Sequence, residues 1–135
     1  MKVVTVLFAC VHNAGRSQMA AAFFDALADP AKARGVSAGT QPGDRVHPEV
    51  VTVMKEVGHD LSAATPRRLT DDLQAETDLL VTMGCGEACP LIPGARRTDW
   101  PVADPKGQPI ERVRAIRDEI ERRVAELVEA RGWRR

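Results

Sequence analysis

The strongest constraint on this fold is the run Val3 to Ala9, VVTVLFA, in which apolar and β-branched residues follow one another without alternation. Such a run belongs to a strand covered on both faces, the signature of a buried strand in a parallel sheet. Asn13 and Gly15 then turn the chain, and Met19, Ala22, Phe23, Ala26 and Leu27 recur at helical spacing ahead of Pro30. The spacing predicts a first helix over about Ser17 to Ala28. Gly35 to Ala38, ending at Gly39, reads as a second strand, which completes a βαβ unit.

The rest of the chain repeats the theme. Pro48 suits a first helical position, Val50, Val53, Met54 and Val57 share a face, and Gly58 is placed to stop that second helix. Thr70, followed by Asp71 and Asp72, caps a short third helix, and Asp78 to Met83 is another buried parallel strand. Glycine and proline punctuate Gly84 to Pro105, leaving room for a brief strand around Arg96 to Trp100; irregular stretches of this length are usually functional or disordered. Ile110, Val113, Ile116, Ile120, Val124 and Leu127 form the stripe of a long amphipathic helix, with Asp118 and Glu119 set four residues before Arg122 and Arg123. Its charged face reads as a solvated surface.

The 135 residues suit one compact domain, 1–135, without repeat or linker. Lysine plus arginine equals aspartate plus glutamate at 19 each, so no net field favours nucleic acid or an acidic membrane surface, and any anion site must be local. The apolar run at the N-terminus covers about eight residues, far short of the ~20 that span a bilayer, and no signal-peptide cleavage region follows it. Three cysteines without an export signal point to reduced thiols in the cytoplasm rather than a disulfide framework.

Between the first strand and helix lies Cys10, then Val11, His12, Asn13, Ala14, Gly15, Arg16 and Ser17. Backbone amides in such a turn, together with a helix N-terminus, favour a tetrahedral oxyanion. Gly15 permits close approach of backbone to ligand, and Arg16 offers two parallel donors to two oxyanion oxygens. The same positive environment favours a thiolate at Cys10, which is the nucleophilic form, and the Ser17 hydroxyl can hydrogen-bond it. Asn13 tolerates an unusual backbone angle and ties the loop together. His12 is ambiguous: it could face solvent, and it is not assigned proton transfer. Read alone, Cys10 is an inert core cysteine; the strand, glycine, arginine and helix around it favour the reactive reading.

With these residues in order, the chain resembles the low-molecular-weight tyrosine phosphatase fold, in the branch that contains thioredoxin-coupled arsenate reductases. The resemblance runs through the opening strand, the Cys10 to Ser17 loop, Ser37-Ala38-Gly39, Val81-Thr82-Met83, Asp104-Pro105 and the final helix. It implies an α/β three-layer sandwich, a four-stranded parallel sheet with helices on both faces. It also implies Cys10 as nucleophile, Arg16 as oxyanion ligand and Asp104 as the general acid for a departing oxygen, a proton without which hydroxide is a poor leaving group. Phosphatases of this fold follow the Asp-Pro with tyrosines that grip an aryl group. This chain has Lys106 and Gly107 there and no tyrosine at all.

Reducing arsenate to arsenite takes two electrons, which two thiols supply by becoming a disulfide. Cys85 and Cys89 stand four residues apart in the punctuated stretch, and the resemblance makes them the resolving cysteines of a relay that starts at Cys10. No bound cofactor is implied. The expected partners are arsenate, with phosphate or sulfate competing, and an external thiol reductant, thioredoxin in the first place. Known thioredoxin-coupled members space these two cysteines more widely, so a shorter relay using mycothiol or glutathione is the alternative. A zinc site lacks a second cysteine pair or a histidine to complete it. Two rival functions are a low-molecular-weight protein or small-ester phosphatase, and a non-catalytic oxyanion or arsenite sensor with no use for Asp104.

Overall fold

A computed structural model describes residues 2–84 and 94–135. The chain runs β1 (Val4–Cys10), α1 (Arg16–Leu27), β2 (Ala33–Gly39), α2 (Pro48–Glu56), α3 (Asp71–Glu76), β3 (Leu79–Thr82), β4 (Arg96–Asp99) and α4 (Ile110–Arg131). The strands form one sheet in the order β2-β1-β3-β4, every pair parallel. The Val3 to Ala9 run thus occupies an interior strand, as its unbroken apolar character requires.

Successive β1 side chains feed two cores. Val6, Phe8 and Cys10 join Met19, Phe23 and Phe24 of α1, Val50, Val53 and Met54 of α2, and the Val113-to-Val128 stripe of α4. Leu7 and Ala9 pack with Ala38, Leu80 and Leu73 of α3 on the opposite face. Among the described residues, helices therefore cover both faces, three on one and α3 on the other. The edge strand β4 is exposed along its length and carries Arg96, Arg97, Thr98 and Asp99, polar residues that discourage edge-to-edge pairing. No described helix is long and apolar enough to cross a membrane.

Three details depart from the sequence reading. Val57 is 38% exposed because α2 stops at Glu56 and Gly58 turns away at φ +92°. In α1, Ala26 is exposed while Ala20 and Phe24 are buried. Phe24 packs edge-on against both Phe8 of β1 and Trp133 beyond α4, so the helix is wedged between sheet and helix and buries a wider arc than one stripe. On α4 the Glu119–Arg123 pair forms at 3.1 Å, but Asp118 pairs with Arg117 at 2.9 Å and Arg122 with Glu126 at 3.5 Å. Arg117 is the reason. It is nearly buried, donates to the Val53 carbonyl and to Glu56 of α2, and draws Asp118 toward itself. Hydrogen bonds from Arg114, with Arg117 adding to them, hold the Glu56 carboxyl below the usual carboxylate range.

The register brings Cys10 opposite Gly39 and Ala9 opposite Thr82. The carboxyl ends of β1, β2 and β3 consequently finish together, the place where open parallel sheets form their ligand crevices.

Candidate active site

The loop from Cys10 to Ser17 leaves β1 at that crevice and runs into α1. Its carbonyls are taken up by neighbouring backbone: Cys10 O by Thr40 N–H, Val11 O by Gln41, His12 O by Gly43, Ala14 O by His47 and Gly15 O by Met19. The Asn13 carbonyl accepts from Gln18 Nε2. In a trans peptide the N–H points opposite to the C=O. Fixing these carbonyls outward turns the amides of the same peptide units to the other side, as an anion-binding loop requires. Gly39 makes this packing possible, since a Cβ there would meet Val11 O at 2.6 Å and Asn13 N at 3.0 Å.

Cys10 is 3% exposed, and its Sγ lies 2.9 Å from Ser17 Oγ. The direction of that bond follows from the next one. Asn13 Nδ2 can only donate, and it reaches Ser17 Oγ at 2.6 Å. The hydroxyl accepts from Asn13 and is left to donate its own hydrogen to sulfur. Asn13 itself is fully buried at φ +50°, with Oδ1 accepting from Gln18 Nε2 and from the Arg67 amide. It is the hub that fixes the loop.

Arg16 enters from the start of α1. Its Nη1 donates to the Val102 carbonyl at 2.9 Å, and its Nη2 lies 3.8 Å from Asp104 Oδ2. Asp104 is half-exposed, and its Oδ1 accepts the Lys106 amide at 3.0 Å, so Oδ2 is the oxygen nearer the guanidinium. Pro105 is buried against Gly15: a Cβ on Gly15 would stand 3.0 Å from Pro105 Cγ and 3.6 Å from His47 Cδ2. The space that the sequence reading reserved for ligand at Gly15 is thus shared with the loop that carries Asp104 and Pro105 and with His47. Trp100, packed on Phe8 at 5.8 Å and hydrogen-bonded through its amide to Thr82 O, anchors the start of that loop.

One narrow cleft is lined by Cys10, His12, Ala14, Gly15, Arg16, His47 and Asp104. The structure therefore gathers Cys10, Arg16 and Asp104 in one place. His12 lies at the exposed rim, with Nδ1 3.0 Å from Gln41 O. Cys85 and Cys89 lie outside the described residues. Sequence reasoning missed His47, Gln18 and the Val102 carbonyl. His47 had one signal, its place just before the Pro48 that opens α2, where its backbone is free to bind the anion loop.

The family model of low molecular weight phosphotyrosine protein phosphatases matches residues 5–132. A Halobacterium salinarum protein provisionally named an arsenate reductase is 44% identical over 126 residues, which cover 89% of this chain and 87% of that protein. The solved thioredoxin-dependent arsenate reductase of Corynebacterium glutamicum superposes with a TM-score of 0.81 at 40% identity, covering 95% of this chain; this chain spans 61% of that one. An arsenate reductase solved in a phosphate-binding state gives a TM-score of 0.79 at 31% identity, covering 95% of this chain and 98% of its own.

Proposed function

The chain belongs to the low molecular weight phosphotyrosine protein phosphatase family, and on that premise we propose that it reduces arsenate to arsenite by a thiol relay beginning at Cys10. The observation that carries the reading is the chain of hydrogen bonds from Asn13 through Ser17 to Cys10, beneath a loop whose carbonyls are all turned outward. It supports a sulfur nucleophile held next to an oxyanion. Relatives named as arsenate reductases support arsenic as the centre attacked.

In the proposed sequence the Cys10 thiolate attacks As(V), and Asp104 protonates the departing oxygen, which leaves as water. Arg16 and the loop amides neutralise the charge on the remaining oxygens. The Cys85 thiolate then attacks the Cys10 sulfur. The sulfur–arsenic bond breaks, its electron pair passes to arsenic, and arsenite leaves a Cys10–Cys85 disulfide. Cys89 attacks Cys85 and frees Cys10, and an external dithiol reduces the Cys85–Cys89 disulfide. Thioredoxin is the proposed reductant, supported by the dependence stated for the C. glutamicum protein. Such a cycle needs the reducing conditions of the cytoplasm.

The test is arsenate-dependent NADPH consumption with thioredoxin and its reductase, comparing wild type with Cys10→Ser, Cys85→Ser and Cys89→Ser. All three variants are expected to lose turnover. Full turnover in Cys85→Ser and Cys89→Ser removes the relay, and p-nitrophenyl phosphate hydrolysis outrunning arsenate reduction makes the protein a phosphatase instead.

A further inference from the structure

Arg16 is gripped from a second side that the mechanism above does not use. Gly84, two residues beyond the end of β3, has φ +86°, and a Cβ built on it would overlap Arg16 Nη1 and stand 2.9 Å from Cζ and 3.2 Å from Nη2. All three nearest atoms are guanidinium atoms. The side chain has little freedom to give way. It is 11% exposed, and its Nη1 is already bonded to the carbonyl of the buried Val102. Gly58, Gly94, Gly107 and Gly132 share the positive φ, yet a Cβ on any of them would meet nothing within 4 Å. Those four serve the turn alone; Gly84 also serves the arginine.

We infer that Gly84 is the positioning residue for Arg16, the missing side chain that lets the guanidinium lie between the end of β3 and the Val102 carbonyl with its charge in the oxyanion cleft. The inference rests on the reading of Arg16 as the oxyanion ligand. In the sequence Gly84 directly precedes Cys85, the proposed resolving thiol.

Phosphate binding by titration calorimetry, and KM for arsenate against kcat, test it in four variants. Gly58→Ala imposes the same backbone strain in open space and is expected to bind phosphate within twofold of wild type. Gly84→Ala is expected to weaken phosphate binding and raise KM at least tenfold. Arg16→Lys, which removes the two Nη atoms, is expected to bind more weakly than wild type, and adding Gly84→Ala to it is expected to change binding less than twofold, the non-additivity of residues in contact. If Gly84→Ala alone does not fold, the inference requires Arg16→Lys/Gly84→Ala to recover a melting temperature near that of Gly58→Ala. Wild-type binding in Gly84→Ala, an additive double variant, or a double variant that stays unfolded each overturns the inference while leaving Arg16 its role. Wild-type binding in Arg16→Lys overturns the role of Arg16, and the inference with it.

Discussion

Replacing Asn13 with alanine tests the hub of the anion loop, because each group it leaves behind can be followed. Ser17 Oγ loses the 2.6 Å donor that orients it toward Cys10, a bond worth about 1 kcal/mol net. The Arg67 amide, part-buried and 3.0 Å from Asn13 Oδ1, loses its acceptor, which costs about 1 kcal/mol or more. Gln18 Nε2 keeps the Asn13 and Thr65 carbonyls and loses little. Alanine at φ +50° adds roughly 1 kcal/mol that asparagine largely avoids. Asn13→Ala should therefore lower unfolding free energy by about 3 kcal/mol, or roughly 10 °C in melting temperature for a chain of this size. Asn13→Gly removes the same hydrogen bonds without the backbone penalty and should recover about 1 kcal/mol. Urea unfolding followed by tryptophan fluorescence measures both. The reasoning fails if Asn13→Ala lies within about 0.5 kcal/mol of wild type, the range of ordinary surface substitutions, or if glycine is no better than alanine.

Ser17→Ala removes the only donor the described residues place on Cys10 Sγ, and a hydrogen bond to a charged group is worth about 1.5–3 kcal/mol. Alkylation of Cys10 by iodoacetamide at neutral pH should slow, and an unchanged rate would mean that the Ser17 hydrogen bond does not activate the sulfur. Asp104→Asn should slow single-turnover arsenate reduction by about 10²–10⁴, the usual worth of a general acid, while phosphate binding stays within a fewfold; unaltered single-turnover rates would exclude it as the acid. Asp78 is held below the usual carboxylate range by the Lys2 ammonium and by the Thr5 amide. A lowered folded value stabilises the protein above the ordinary carboxylate range and loses that contribution as acid titrates the group. The urea midpoint of wild type should exceed that of Asp78→Asn at pH 7 and converge with it as pH falls through about 4 and below; a gap that is constant with pH would contradict this.

What the sequence makes legible is what lies close along the chain. Cys10, Asn13 and Ser17 lie within eight residues, so the strand, glycine, arginine and helix around them pointed to the loop, while the bond from Asn13 to Ser17 and its direction came from the structure. The unbroken run of β1 likewise declared a strand buried on both faces, and the resemblance then supplied the four-stranded sheet that the structure bears out. Side-chain pattern fails where packing decides. One stripe could not reveal that α1 is wedged between the sheet and α4, nor that a buried Arg117 would take Asp118 from Arg122. Backbone groups are harder still, since the Val102 carbonyl and the Arg67 amide carry no residue identity that a motif could announce. Both meet the anion loop across more than fifty positions. This explains why the proposed nucleophile was readable while the setting of the nearby arginine was not. Cys10 is fixed by neighbours in sequence, whereas Arg16 is fixed by a carbonyl from one distant loop and by the side chain that Gly84 lacks. A substitution at Gly84 would alter the site without touching any residue of the motif that identifies it.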